Sequence, residues 1–440
     1  MNLPALVGTL APNKSRGAAL IIMLFVVVLA STAILVSLLA KTNPDIERQK
    51  KTMAALAQAK QALIAWSVTR GDMQLATEIT DDVTKYTYYR PGSLPCPDTN
   101  YFGSENSGFA SGSCSSSGGS SIGRLPWRSL RIDKLIDGSG EPLWYALSDN
   151  FRRANGLNDK AINSDTKGSL LLYAADGSTL LTPAGEELAA IIFAPGSPLP
   201  EQDRAALPNA AKSYLDAHNS KDNANAAGPF FAGPVRDSNG NLISNDVVVG
   251  ISARELTTAV ELRALKEAQR ALASYKTANG KYPNPAPYNG ANCASLVDDV
   301  KDASLALCKG DSVVPTCIGR FPEDIFPYYP PANARPLELS GQLKIAPWFT
   351  QNGWGRTMTY AINDKDSASP TCTTSISVAG TNKDNGYILI APGPARGTQT
   401  RPSYTLSDYL EDAGNTDAWS GNGAFVTPTA ASNDHLRSAP

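Results

Sequence analysis

The stretch ALAQAKQALIAW, residues 55–66, has a counterpart late in the chain, ALKEAQRALASY, residues 264–275. The apolar positions of the two stretches share one 3-4-3 spacing: Leu56, Ala59, Leu63 and Trp66, then Leu265, Ala268, Leu272 and Tyr275. Residues at this spacing lie along one face of an α-helix. Each stretch therefore predicts an amphipathic helix with one buried stripe.

Five further pairs of short stretches recur in the same order, roughly 188 to 215 residues apart. They are IGRLP (122–126) and IGRFP (318–322), WYALSD (144–149) and TYAIND (359–364), IIFAPG (191–196) and ILIAPG (388–393), SYLD (213–216) and DYLE (408–411), and SND at both 244–246 and 432–434. Collinear matches of this kind indicate a tandem duplication, with units at 41–250 and 251–440. Ser252-Ala-Arg-Glu255 has the form of a capping box and would begin the helix of the second unit.

Within each unit the predicted helix is followed by a long irregular stretch and then by short β runs. Those of the first unit are PLWYAL, SLLLYAA, LAAIIFAPG and NDVVVGIS, and those of the second are TMTYAI, TSISVAG and GYILIAPG. Gly, Asp and Asn turns separate them. The predicted fold class is α+β, with an amphipathic helix packed on an antiparallel sheet in each unit.

An apolar run near the N-terminus, SRGAALIIMLFVVVLASTAILVSLLAK (15–41), contains 23 consecutive uncharged residues at 18–40. As a helix this run would span about 34 Å, enough to cross a hydrocarbon core of about 30 Å. Lys14 and Arg16 precede it, which predicts a cytoplasmic N-terminus and an exported remainder. We therefore expect a transmembrane helix at 18–40, a single pass through the inner membrane, and a C-terminal bulk in the periplasm.

Gly17 lies between the basic leader and the apolar run. This arrangement resembles the type III signal of type IV pilins and of type II secretion pseudopilins. The resemblance implies that a prepilin peptidase removes a leader of residues 1–17 and that the new N-terminus, Ala18, is methylated. It also implies that the helix packs against other pilins or pseudopilins in a filament, which can reach the cell surface, and that each globular unit is pilin-like.

One position departs from the family pattern. The family usually carries a glutamate five residues into the mature helix, where it neutralises the N-terminal ammonium of the subunit above, and this chain has Ile22 there. In this respect the chain resembles the minor pseudopilin at the filament tip, which has no subunit above it.

Net charge limits the kind of partner that the chain can bind, and the cysteine content predicts its disulfides. The net charge of −2 argues against a nucleic-acid partner, which would require a basic face. Six cysteines in an exported chain predict disulfides, and their distribution gives each unit an even number. Cys96 and Cys114 are expected to pair; Cys293, Cys308, Cys317 and Cys372 allow three pairings, among which we favour Cys293–Cys308 and Cys317–Cys372.

Motifs for catalysis or metal binding are sparse. The G-x-S-x-G pattern at 119–123 lies in a Ser/Gly-rich loop, and the two histidines, His218 and His435, stand at unmatched points of the repeat. We therefore expect no enzyme and no cofactor. Asp237, Asn239 and Asn241 could begin a calcium loop or form a β-turn, and Val248 occupies the position where a calcium loop has glutamate. The acidic cluster Asp408, Glu411, Asp412 and Asp417 is expected to be a solvated helix end.

Two classes of function fit these features. The first is a minor pilin or pseudopilin that initiates or caps a type IV pilus or type II secretion pseudopilus. Its partners would be the prepilin peptidase, other filament subunits through the N-terminal helix, and the inner membrane. The second is a membrane-anchored periplasmic binding protein or enzyme unrelated to filaments.

Overall fold

The computed structural model describes residues 44–69, 91–112, 114, 120–152, 161–286, 318–322, 345–346, 348–349, 352–363, 376–379, 386–401, 403, 405–418, 423–429 and 432–439. Two long helices dominate this part of the chain: α1, Pro44–Thr69, and α3, Ala253–Asn279. Three short helices accompany them: α2, Trp127–Leu130, α4, Trp354–Thr357, and α5, Ala413–Asp417.

Helix α3 has well-defined ends. The Ser252 hydroxyl accepts a hydrogen bond from the Glu255 backbone N–H at 3.0 Å, which satisfies one of the unpaired donors of the first turn. At the other end Gly280 adopts a φ of +77°, a left-handed conformation that glycine adopts at little cost, and its N–H donates to the Lys276 carbonyl. The stripe residues Leu265, Ala268 and Leu272 of α3, like Leu56, Ala59 and Leu63 of α1, are completely buried.

Each long helix is associated with a four-stranded antiparallel sheet. The first sheet has the order β1-β2-β4-β10 and the second β11-β12-β14-β16. The strands of the first are β1, Ser120–Arg124, β2, Trp144–Ser148, β4, Leu188–Ala194, and β10, Val247–Ser252. Those of the second are β11, Ile318–Arg320, β12, Thr359–Ile362, β14, Tyr387–Ala391, and β16, His435–Ser438. In both sheets the strands lie side by side in the order in which they occur along the chain.

The boundary between the units falls inside continuous structure. Strand β10 passes through residue 250 and leads directly into α3. Ile251 and Leu256 pack in the core of the first unit, whereas Val260 and the residues after it pack in the core of the second. Helix α3 therefore contributes to both cores.

Within the described part of the chain, eight shorter strands form two-stranded sheets beside the main ones. Two of these pairs are parallel: β3, Leu172–Tyr173, with β7, Phe230–Phe231, and β13, Ser377–Val378, with β15, Ala424–Phe425. The other two are antiparallel: β5, Ala217–His218, with β6, Lys221–Asp222, and β8, Val235–Arg236, with β9, Leu242–Ser244. The predicted β runs SLLLYAA and TSISVAG do not join an antiparallel sheet: they provide β3 and β13, which pair in parallel outside the main sheets.

Both faces of each main sheet are covered. In the first sheet, Tyr145 and Ile192 face α1, and their neighbours Trp144 and Phe193 face a layer of loops that contains Tyr214. In the second sheet, Tyr360 and Leu389 face α3, while Ala361 and Ile390 face loops that contain Tyr409 and Phe425. Because both faces are covered, every residue of β4 and β14 is buried. Strands buried on both faces have continuous apolar sequences, as these two do.

The prediction of an N-terminal transmembrane helix requires correction. Across the ranges described above, no helix is long and apolar enough to cross a membrane. Helix α1 has sufficient length, but its first two turns carry Asp45, Glu47, Arg48, Lys50 and Lys51, charges that a bilayer interior strongly disfavours. The predicted span 18–40 lies outside the described residues. The fold class with a transmembrane helix and the localisation as a single-pass inner-membrane protein are therefore wrong for the part of the chain that is described.

The matched stripes provide a test of the two cores. Leu63→Ala in α1 and Leu272→Ala in α3 should each lower the free energy of unfolding by about 2–5 kcal/mol, because each removes a buried side chain and leaves a cavity. Met53→Ala is the control, since this side chain of α1 is 46% exposed and should change stability little. Urea denaturation measures all three, and a loss below about 1 kcal/mol at either leucine would contradict the packing.

Candidate functional site

Several residues singled out in the sequence lie outside the described residues. These are the processing residues Gly17 and Ala18 and the second-unit cysteines Cys293, Cys308, Cys317 and Cys372. Cys96 and Cys114 are described and form the disulfide expected between them, with their Cα atoms 5.6 Å apart. This disulfide closes a surface loop of the first unit.

Asp237, Asn239 and Asn241 form the turn between β8 and β9. One carboxylate oxygen of Asp237 accepts the backbone N–H groups of Asn239 and Asn241 at 2.9 and 2.7 Å, and the other accepts the Asn241 side-chain amide at 2.9 Å. These hydrogen bonds lower the pKa of the exposed Asp237 carboxyl. These hydrogen bonds are those expected of the β-turn alternative, and the calcium site stays a prediction.

The G-x-S-x-G serine, Ser121, lies within β1 and donates its hydroxyl to the Cys114 carbonyl. A nucleophile elbow requires a sharp turn between a strand and a helix. Ser121 occupies a regular strand, so the structure gives it no such geometry.

A buried arginine organises the loop after β4. Arg204 donates to the carbonyls of Gly196 and Ser213 at 2.8 and 3.0 Å and to the Gln202 amide oxygen at 2.7 Å. Its guanidinium lies 4.8 Å from the centroid of the Tyr214 ring. One side chain thereby satisfies two carbonyls that the sheet leaves unpaired.

The second unit repeats this arrangement after β14. Arg401 donates to the Gly393 and Tyr409 carbonyls and to the Gln399 amide oxygen, the last at 2.9 Å, and stacks 4.8 Å from the Tyr409 ring centroid. Gly393, Gln399 and Arg401 are each 197 residues after their counterparts in the first unit. The arginine and its acceptors therefore belong to the repeated architecture.

Two carboxylates lie beside each arginine. In the first unit Asp216 accepts the Asn245 backbone N–H at 2.9 Å, and Asp246 accepts the Asp216 backbone N–H at 2.9 Å and the Asn223 side-chain amide at 2.9 Å. Burial raises the pKa of Asp216. Burial, with the charge of Asp216 next, raises the pKa of Asp246 well above its usual value.

Glu411 and Asp434 form the equivalent pair in the second unit. Glu411 accepts the Asn433 backbone N–H at 2.9 Å, and the Glu411 backbone N–H donates to Asp434 at 3.3 Å. Burial, and then the charge of Glu411, raises the pKa of Asp434 to about 7. The expectation of a solvated acidic helix end is wrong for Glu411, because this side chain is half-buried and holds the loop before β16.

A further carboxylate, completely buried, lies where the two units meet. Glu261 of α3 has a completely buried side chain; one of its oxygens accepts the Ser164 hydroxyl at 2.5 Å and the Gly393 backbone N–H at 3.0 Å. Its other oxygen lies 3.0 Å from Nδ1 of His435, at the start of β16. Ser164 belongs to the first unit and the other three residues to the second, so one carboxylate connects both.

Residues beside Ser164 extend this junction. Asn163 donates its amide to the Asn352 carbonyl at 2.9 Å, and the Asn352 amide donates back to the Pro91 carbonyl at 2.9 Å. Asp165 lies 3.4 Å from Arg401, so the repeated arginine of the second unit also contacts the first. We refer to Ser164, Asp165, Glu261, Gly393, Arg401 and His435 as the junction cluster.

The arginines, the acid pairs and the junction cluster are buried or half-buried charged side chains held in place by hydrogen bonds. The arginines fix loop carbonyls, the acid pairs fix loop N–H groups, and the junction cluster fixes one unit against the other. The internal repeat aligns Tyr214 with Tyr409 and the two Ser-Asn-Asp stretches with each other, but it does not indicate their role. The signal for the arginines was the repeated Gln-x-Arg at 202–204 and 399–401, and Glu261 has no counterpart that would reveal it.

No protein-family model, no curated protein and no solved structure matches this chain significantly. A functional assignment therefore rests on the chain's own residues and contacts.

The acid pair of the second unit predicts a pH dependence. A carboxyl whose pKa rises from 3.8 to about 7 on folding favours the folded state when protonated. The protonated carboxyl contributes on the order of 4 kcal/mol to the free energy of unfolding. This contribution is fully present when the pH is below the pKa of the unfolded state, and it is lost as the pH rises through the pKa of the folded state.

Asp434→Asn should therefore reduce the difference in unfolding free energy between pH 5 and pH 8, as measured by urea denaturation at both values. Asp237→Asn is the control, because the pKa of this exposed carboxyl is lowered and the group does not titrate in that window. An unchanged pH dependence in Asp434→Asn would show that Asp434 does not carry the effect.

Proposed function

We propose that this chain is a minor structural subunit of a pilin-like filament, placed near an end of a type IV pilus or of a type II secretion pseudopilus. The observation that carries the proposal is the repeated unit of one long helix packed on a four-stranded antiparallel sheet. That order of elements resembles a pilin headgroup, and the Arg-Gly leader ahead of the apolar run resembles a prepilin signal.

The junction cluster supports a structural role. Buried groups are expensive to leave unpaired, so a carboxylate that connects Ser164, Gly393 and His435 resists separation of the two units. A subunit that carries load within an assembly needs its headgroups held together in this way. The repeated arginines add to this rigidity because each one holds a long loop to its own sheet.

The position near an end follows from size and from Ile22. A shaft subunit repeats at a short axial rise, and two headgroups in tandem are hard to accommodate at every lattice point. In the family, an early glutamate offsets the buried ammonium of the next subunit, a charge that costs several kcal/mol when unpaired. A subunit without a neighbour above it loses nothing when isoleucine replaces that glutamate.

Processing at Gly17 tests membership of the filament family. Gly17→Leu should leave an uncut precursor, because a prepilin peptidase requires a small residue at the scissile bond, whereas the wild-type chain should begin at a methylated Ala18. Intact mass and N-terminal sequencing of the purified chains measure this. Gly8→Leu is the matched control within the same leader and should be processed normally. Normal processing of Gly17→Leu would reject the prepilin assignment.

Copy number tests the position in the filament. Labelled chains should occur in few copies per filament and at its ends, and Ile22→Glu should not increase their incorporation, because a terminal subunit has no ammonium above it to neutralise. Imaging and quantitative mass spectrometry of isolated filaments measure both. Stoichiometric incorporation along the shaft, or a marked gain with Ile22→Glu, would contradict the end position.

A further inference from the structure

The disulfide-closed loop of the first unit exposes three aromatic side chains. Tyr101 is 69% exposed, Phe102 37% and Phe109 45%. They lie within nine residues of one another, between Cys96 and Cys114. Exposed aromatic residues concentrated in this way are typical of binding surfaces, where Tyr, Trp and Phe are enriched.

Hydrogen bonds inside the loop hold it in one conformation. Asp98 accepts the backbone N–H of Asn100 at 2.9 Å and that of Gly108 at 2.8 Å, and its side chain is only 2% exposed. The Asn100 amide donates to the carbonyls of Asn106 and Phe109, both at 3.0 Å. The aromatic side chains therefore extend from an ordered loop, and a partner would meet a surface that needs little ordering on binding.

Gly108 allows the loop to pack closely on the protein. Its φ of +89° lies in the region that favours glycine, and a Cβ at this position would lie 2.4 Å from Nε1 of Trp127. Phe102 is held from the other side, since its backbone N–H donates to the Asn209 side chain at 2.7 Å. The loop is therefore fixed to two separate parts of the first unit.

Two exposed cations stack on these rings. Nζ of Lys134 lies 5.1 Å from the Phe102 ring centroid, and the Arg128 guanidinium lies 5.4 Å from that of Phe109 and 5.0 Å from that of Trp127. Such stacking holds a cation in place without neutralising its charge. Arg128 also donates one N–H to the Glu105 carbonyl at 2.7 Å. Its other N–H groups and the Lys134 ammonium can pair with a carboxylate.

The surrounding charges also favour an anionic ligand. The exposed charged residues of this surface are three cations, Arg128, Arg131 and Lys134, and two acids, Glu105 and Asp133. The chain as a whole carries −2, so this surface is more positive than the average of the protein. A small cleft opens beside Phe102, lined by Asp98, Ser107, Arg124, Leu125, Trp127, Lys134, Leu135, Pro142 and Leu143. Asp98 and Arg124 form an ion pair within it, which leaves Lys134 as its exposed cation.

We propose that Tyr101, Phe102 and Phe109, together with Arg128 and Lys134, form a docking site for a peptide segment of a partner protein that presents carboxylates beside apolar side chains. The rings contact the apolar side chains, and the two stacked cations pair with the carboxylates. Arginine and aromatic residues dominate the energetics of protein interfaces, and these are the residues that the loop presents. This site is independent of filament assembly, because it uses only contacts within the first unit.

A pair of labelled synthetic peptides tests the site on the full-length chain. One peptide alternates glutamate with leucine and serine, and the other has glutamine at each glutamate. Fluorescence polarisation should detect binding of the glutamate peptide, and we expect the glutamine peptide and the Arg128→Gln/Lys134→Gln variant to weaken it roughly tenfold or more. Tyr101→Ala should weaken it as well, because the ring contacts the apolar side chains.

The matched control is Lys167→Gln/Arg236→Gln, which removes one exposed lysine and one exposed arginine outside the contacts of this loop and should leave binding unchanged. Three results would overturn the proposal: no binding of the glutamate peptide, equal binding of the glutamine peptide, or equal losses in the control variant. A uronic-acid oligosaccharide is tested in parallel, and its binding at this loop in preference to the peptide would overturn the assignment to a protein partner.

Discussion

Each main sheet of this protein is covered on both faces, and most other features follow from that constraint. A helix covers one face with a stripe of leucine and alanine, but the other face is covered by loops and two-residue strands, whose backbone is only partly paired in regular ladders. Buried carbonyl and N–H groups without partners are costly, so the loop layer must bring side chains that pair with them. Arg204 and Arg401 meet this requirement for carbonyls, and the acid pairs meet it for N–H groups.

The acid pairs carry a cost that the arginines only partly offset. Asp246 is completely buried, and one of its carboxylate oxygens has no hydrogen-bond partner, as does one oxygen of Asp434. Burial first, and then the charge of the neighbouring carboxyl, raises the pKa of the more buried member in both units. Because the two units repeat this arrangement, the pairs are a property of the fold.

The two long helices and five of the eight main strands could be predicted from their apolar patterns, but β1, β11 and β16, whose sequences are short and mixed in polarity, could not. The stripe in 55–66 and the continuous apolar run of β4 report burial directly. The short parallel pairs could not be predicted, since β3 and β13 each contribute two residues whose partners lie 58 and 47 positions further along the chain. The candidate site was missed for a similar reason: a lone arginine or glutamate carries no pattern, and its burial depends on loops whose paths are not periodic. The turn at Asp237 was recognisable, because hydrogen bonds within five residues determine it.

The junction shows how a duplicated fold can acquire a contact that neither unit needs alone. In the first unit Gly196 follows β4, and its N–H donates to Asp137. The residue after Asp137 is Gly138, whose N–H donates to the hydroxyl of Thr52 in α1. In the second unit the equivalent Gly393 N–H donates to Glu261, which occupies the helix position that corresponds to Thr52. A carboxylate there satisfies the glycine directly and has acceptor sites left over, because an ionised carboxyl offers about four. Ser164 of the first unit uses one of them. The carboxylate at this one helix position thereby adds a hydrogen bond between the units to those that Asn163 and Asn352 make.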